Sequence, residues 1–352
     1  MSVGTGERLA ERTLALVNIP SESRNEAEIT EYVAAAMPWE PVWRRDETLW
    51  YEAGAGGRPL AVLAGHLDTV PAQGNLPGRI EDGRVVGLGA SDMKAGVAVM
   101  IELARWWAER DAEGSIDLGF VFFPREEIAV EESPLPELFE TGLLDRAALV
   151  VVLEPTDNEI HAGCVGSIVA RASFAGESAH AARPWTGVNA ISLAVRALAP
   201  IVALEPLEVE NGGLTFREVV TVTRIEGGVA DNVVPADAAA TLNFRYAPGR
   251  WRADAEARLR ELAGDVEVLS HSTAATVPTA NPLLERLREA GGFALAPKQA
   301  WTPVAQFAER GLDAINLGPG ATRYAHRVDE QVQIAELERT FAALTAFALG
   351  TV

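Results

Sequence analysis

The chain has 352 residues, 48% of them apolar, and 30 Lys+Arg against 50 Asp+Glu give it a formal net charge of −20. That length suits two domains with a sizeable core, and the composition excludes a disordered chain. The negative charge repels phosphate backbones and anionic bilayers, so neither nucleic acid nor a membrane is an expected partner, and the single cysteine, Cys164, excludes an internal disulfide and fits a reducing cytoplasm.

The N-terminal stretch MSVGTGERLAERTLALVNIP carries Glu and Arg through its apolar part, which argues against a signal peptide. No apolar run approaches the ~20 residues that span a bilayer. Residues 25–37 read as a helix, and PLAVLAGHLD from Pro59 holds a short buried strand. After a Gly-rich turn, the stretch from Asp92 has helical spacing, with Val97, Met100, Ile101, Ala104 and Trp107 on one face. IDLGFVFF and ALVVVL are two further buried strands, ending at Phe123 and Leu153. Strands separated by helices predict an α/β layer with a mostly parallel sheet.

The pattern then changes. Strands are expected over 166–176, 215–228, 238–249 and 265–272, with helices over 188–204 and 252–264. That βαββαβ order fits a ferredoxin-like sheet with two helices on one face. From about Asn281 the α/β style resumes, with LLERLREAGGF as helix and AINLGPG at 314–320 as strand and turn. The expectation is a discontinuous domain, 1–165 with 274–352, interrupted by an α+β insertion over 166–273.

Open α/β sheets bind ligands at the carboxyl ends of their strands. His66 and Asp68 end one strand, Glu126 and Glu127 follow the next, and Glu154 follows the third. Asp92 opens a helix, where it can also cap, and His326 follows the 314–320 segment. Imidazoles and carboxylates without a thiolate cluster suit Zn²⁺, Co²⁺ or Mn²⁺. The set exceeds what one four-coordinate ion needs and suits two ions sharing a carboxylate. In the adjacent pair Glu126-Glu127, one side chain can bind metal while the other serves as general base. Glu131 and Glu132 read as solvated surface, and His161 and His271 as structural. Cys164 reads as a small buried residue, and GPGATR lacks the Lys-Ser/Thr of a phosphate loop.

The stretches AGHLDTVP, GLGASDMKAG, PREE, LEPTD, GESAHAARPWTGVNAI, GGVADNVVPA, TLNFRYAPG and the late AH at 325–326 carry a resemblance through nearly the whole chain. The sequence resembles the zinc-dependent aminoacylase/carboxypeptidase superfamily of metallopeptidases, and within it the succinyl-diaminopimelate desuccinylases. The resemblance implies that His66 binds one metal ion and His326 the other, with Asp92 bridging and Glu127 and Glu154 completing the sites. It implies Glu126 as general base and Asp68 as the group that orients His66. His180 in the insertion would stabilise the oxyanion, in the partner subunit's active site of a homodimer, and Arg183 and Asn232 would contact substrate. The insertion would be a lid and dimerisation domain. The implied activity is hydrolysis of a small N-acyl amino acid, N-succinyl-LL-2,6-diaminopimelate, with sibling amide hydrolases and a non-catalytic relative as the alternatives.

One departure bears on the substrate. Where those desuccinylases read like TDVARF, this chain has TPVAQF, with Pro303 and Gln306. Losing a charge-assisted hydrogen bond there would remove ~1.5–3 kcal/mol unless Arg183, Arg245 or Arg323 substitutes. Leu88 and Ala95 also depart from the pattern, but neither is a ligand type.

Overall fold

A computed structural model describes residues 4–54, 56–110 and 114–351. Residues 1–3, where the N-terminal reading begins, and residue 352, where the expected domain ends, lie outside the described residues. The chain forms two compact units: Met1–Ala162 with Pro278–Ala296 and Gln306–Val352, and Gly163–Val277 with Pro297–Ala305.

The first unit is organised by an eight-stranded sheet in the order Trp43–Arg45, Thr48–Ala53, Asp117–Phe123, Leu60–His66, Ala147–Val152, Ala314–Asn316, Ile160–Cys164, Leu295–Lys298. The strands Asp117–Phe123, Leu60–His66, Ala147–Val152 and Ala314–Asn316 run parallel, and antiparallel strands flank them. These four are the apolar runs of the sequence, and Leu60–His66 and Asp117–Phe123 are buried at every position. Strands covered on both faces read as continuous hydrophobic runs, which makes a parallel sheet visible in sequence.

The helix Lys94–Ala108 corrects the one-faced reading of its pattern. Every residue from Lys94 to Ala104 is buried, because the helix packs on the strand Leu60–His66 and beneath the helices Thr5–Val17 and Ile334–Leu349. Its Glu102 is tolerated there because Arg8 and Arg12 each donate to it at 3.0 Å. Asp92 does not cap this helix either. The capping position is Met93, with no side-chain capping bond.

The second unit carries a five-stranded antiparallel sheet in the order Leu207–Asn211, Leu214–Gly227, Asp237–Tyr246, Gly166–Ala175, Glu267–Ser272. Without the short hairpin partner Leu207–Asn211, its four strands follow the ferredoxin-like order, with the first strand between the third and the last. The helices Ala190–Val202 and Arg252–Ala263 pack on one face, against Ile168, Ala170, Leu242, Phe244 and Tyr246. Alternation along the strands puts Asn243 and Arg245 on the opposite face. No helix of the described residues is long and apolar enough to cross a membrane.

Candidate metal centre

Three neighbouring parallel strands end in the same place. Leu60–His66 terminates in His66, which is 1% exposed. The chain then turns, and the Asp68 carboxylate reaches across to the segment after Asp117–Phe123. Its Oδ1 accepts from Glu126 N and its Oδ2 from Glu127 N, both at 3.0 Å. Ser23 Oγ donates to Oδ2 at 2.7 Å. Asp68 thus fixes the backbone of both glutamates while its own oxygens flank His66 Nδ1, 3.4 Å from Oδ1. Glu154 follows Ala147–Val152 and is buried, its Oε1 3.8 Å from His66 Nε2. The turn after Ala314–Asn316 packs beneath it. A Cβ at Gly318 would lie 2.4 Å from Leu153 O, so only glycine allows that approach. The GPGATR turn is therefore a support for the Glu154 segment, held by Thr156 Oγ1 and by Thr322 Oγ1 donating to Pro155 O.

Asp92 lies between the two histidines. Its Oδ1 is 3.3 Å from His66 Nε2 and its Oδ2 is 3.6 Å from His326 Nε2. His326 adopts a left-handed backbone, φ 61°, and its Nε2 is 2.9 Å from Glu127 Oε2. Among the described residues, His66, Asp92 and Glu127 can bring donor atoms within 4.8 Å of one another, and so can His66, Glu126 and Glu154. Imidazole nitrogens and carboxylate oxygens, with no sulfur, fit a borderline divalent cation.

The electrostatics also favour a cation. Burial pushes the Glu126 carboxyl well above its usual range, and the charges of Glu154, Glu127 and Asp92 push it further. Glu127 is raised by burial and Asp92, against the pull of His326. Burial lowers His66, but its bonds to Asp68 and Asp92 and the charge of Glu126 outweigh that and hold it high. The bond to Glu127 is the main cause that lifts His326 to about 9. Burial opposes ionisation of Asp68, yet His66 and the backbone N–H bonds bring it down to about 2. Glu126 and Glu127 are buried beside other carboxylates with little positive charge to offset them, and a divalent ion would supply it.

His180, Arg183 and Asn232 form a separate, exposed group in the second unit. Ala179–His180 pairs with Val233–Val234, and Ala181 N donates to Asn232 O at 2.9 Å. Gln306, in the first unit, is buried and accepts from Ser133 Oγ at 3.3 Å. Arg323 is exposed and paired with Asp157, whereas Arg245 is half-buried and lowered by desolvation. Cys164 is buried and its thiol raised, as an inert residue would be. His271 is structural as expected, 2.9 Å from the Tyr246 hydroxyl. Two residues of the first unit escaped the sequence reading: Ser23, which holds Asp68, and Glu330, which holds the Asp92 loop. Neither belongs to a motif quoted above. Only the close spacing of Glu330 to His326 could have drawn attention to it.

Comparisons with known proteins bear on the whole chain. The sequence pattern of peptidase family M20/M25/M40 matches residues 62–350. A Mycobacterium tuberculosis protein, provisionally named a succinyl-diaminopimelate desuccinylase, is 36% identical over 93% of this chain and 94% of its own. The Corynebacterium glutamicum succinyl-diaminopimelate desuccinylase is 32% identical over 95% of this chain and 94% of its own. The solved structure of aminopeptidase PepT from Bacillus cereus superimposes with a TM-score of 0.78 at 23% identity, covering 98% of both chains. That last likeness establishes the fold.

Proposed function

The chain belongs to peptidase family M20/M25/M40, and from that premise we propose that it hydrolyses N-succinyl-LL-2,6-diaminopimelate to succinate and LL-2,6-diaminopimelate, a step toward lysine and diaminopimelate. The names of two relatives aligned over more than nine-tenths of this chain support that substrate. The observation that carries the hydrolytic reading is Asp92, with one carboxylate oxygen toward each histidine.

We read His66, Asp92 and Glu154 as the ligands of one divalent ion and His326, Asp92 and Glu127 as those of a second. Zinc is the first choice, with cobalt and manganese able to serve. Ions held there would supply Lewis-acid polarisation of the substrate carbonyl and acidify a water. Glu126 takes the proton of the attacking water and returns it to the departing amine, a task suited to a carboxyl raised by burial. Asp68 holds His66 in one orientation. His180 donates to the oxyanion. Ala182 N already donates to its Nδ1 at 3.0 Å, so the neutral ring carries its proton on Nε2, ready to donate. Arg183 and Asn232 contact the substrate, and Arg245 is a further cation for its carboxylates.

Residues 166–273 act in this reading as lid and dimerisation domain of a cytoplasmic homodimer. Two features of the second unit support it. Leu207–Asn211 covers only Leu214–Glu218 of its neighbour, which among the described residues leaves 219–227 without a partner on that side. Val195, Val202 and Ile225 are 56%, 72% and 56% exposed. An open strand edge beside exposed apolar side chains is a surface that pairs with another copy.

Gln306 favours a second reading, a sibling amide hydrolase such as an acetylornithine deacetylase, aminoacylase or dipeptidase. It stands where the resembled desuccinylases carry an arginine, and its side chain is engaged with Ser133. Amine release from a panel of succinylated and acetylated amino acids and dipeptides separates the two. Highest kcat/KM on succinyl-diaminopimelate upholds the first reading. Turnover of another substrate without it would establish the second.

A further inference from the structure

Glu330 is 1% exposed, and its carboxylate accepts from the backbone of the Asp92 loop. Its Oε2 accepts from Gly89 N at 2.8 Å, and its Oε1 accepts from both Ser91 N and Asp92 N at 2.9 Å. Its own carbonyl oxygen accepts from Gly87 N at 3.0 Å. Four amides of one six-residue loop, 87–92, therefore hang on one residue. That residue lies four positions after His326 and directly before the strand Gln331–Gln333, which pairs with Arg84–Val86. Both sides of the Asp92 loop are thus tied to the segment that delivers His326.

We propose that Glu330 is a positioning residue: by fixing the backbone of residues 87–92 it sets the Asp92 carboxylate where its two oxygens reach His66 and His326. The inference rests on reading Asp92 as a ligand shared by two ions. Three converging N–H donors in a buried site need an acceptor with several lone pairs and no donor of its own, which an ionised carboxylate provides. Glutamine fills the same volume, but its amide nitrogen would face a backbone N–H, leaving donors unsatisfied where burial makes that costly. The loop would relax, and Asp92 with it. A side chain that orients a ligand in this way commonly changes metal affinity as much as it changes activity.

The test compares metal-stripped wild-type protein, Glu330→Gln and Glu102→Gln. The last removes a buried carboxylate charge from the Arg8 and Arg12 pair, away from the Asp92 loop, and serves as the control for lost stability. Folding is checked by circular dichroism, Zn²⁺ affinity by titration against a competing chelator, and ligand geometry by the visible spectrum after Co²⁺ loading. Glu330→Gln should fold, bind Zn²⁺ about 10–100-fold more weakly and shift the Co²⁺ spectrum, while Glu102→Gln matches wild type in both. Wild-type affinity and spectrum in Glu330→Gln would overturn the inference alone. Wild-type protein that takes up no metal would overturn the metal-site reading and this inference together. If Glu330→Gln does not fold, hydrogen exchange of the wild-type amides of Gly89, Ser91 and Asp92 decides: strong protection supports the clamp, and exchange at the rate of an open loop overturns it.

Discussion

The side chains proposed for the site are held in opposite ways in the two units. In the first unit His66, Asp68 and Glu154 are nearly inaccessible, and the Glu126-Glu127 backbone is pinned by Asp68. In the second unit His180, Arg183 and Asn232 are exposed and stand on or beside two-residue strands. On the proposed reading, the difference follows from what each group must meet. Ligands that repel one another need their positions enforced by burial and backbone bonds before any cation arrives. Groups that touch a substrate need to be ordered only once it is bound, so exposure costs them little. On that reading the first unit is a preformed charge trap, and the second offers donors that wait.

The comparison can be broken at its strongest point first. Glu126→Ala should lower kcat by about 10²–10⁴-fold while metal content stays at the wild-type level. Steady-state kinetics with elemental analysis check this, and a variant that loses metal would make Glu126 a ligand instead of the base. Next comes His180→Ala, expected to lower kcat by about 10²–10³-fold with KM and metal content little changed. Unchanged kcat would leave the second unit with no part in the chemistry. Asp68→Asn should cost about 10–100-fold in metal affinity or activity, since it both orients His66 and carries the Glu126-Glu127 backbone. Chelator competition would show whether the loss falls on affinity, as positioning of ligands requires.

Much of the first unit was legible because its sheet is buried on both faces, so the strands ending at His66, Phe123 and Val152 appear as apolar runs with a charged residue at or just past each end. The second unit's strands alternate, since one face carries helices and the other does not, and that too is visible. What stayed hidden is what only folding brings together. Ser23 meets Asp68 across 45 residues, and Glu330 meets Asp92 across 238, with no local pattern around either. The helix Lys94–Ala108 misled for a related reason. Its spacing put apolar residues on one face, yet its charged Lys94 and Glu102 are buried too, Lys94 Nζ donating to Ile19 O at 2.8 Å and Glu102 facing two arginines. Polar residues signal a solvent face only when no distant partner neutralises them.

The smallest effect concerns stability, and its sign follows from the trap. Without metal, burial raises Glu126 and Glu127 above the ordinary 4.5, while His326 rises from 6.5 to about 9. A carboxyl whose folded pKa exceeds its unfolded value binds its proton better in the folded state. Its contribution is fullest below the unfolded pKa and falls as pH rises through the folded one. The raised His326 behaves alike, contributing fully below about 6.5 and losing that contribution through about 9. Asp68, lowered to about 2, has the reverse dependence, but its contribution is complete above pH 4 or so and is flat across this window. The slopes of the cluster groups therefore share one sign, whereas Lys94, lowered by burial from 10.5 to about 7, has the opposite slope above pH 7, so the Tm of the metal-free protein should fall by roughly 3–8 °C between pH 5 and pH 7. Divalent ions bind the deprotonated donors, so reloaded protein should lose less, or gain, over the same range. Thermal melts of stripped and reloaded protein at both pH values check this. A metal-free Tm that rises with pH would mean the cluster holds no excess protons, and the two units would then differ in burial alone and not in stored charge.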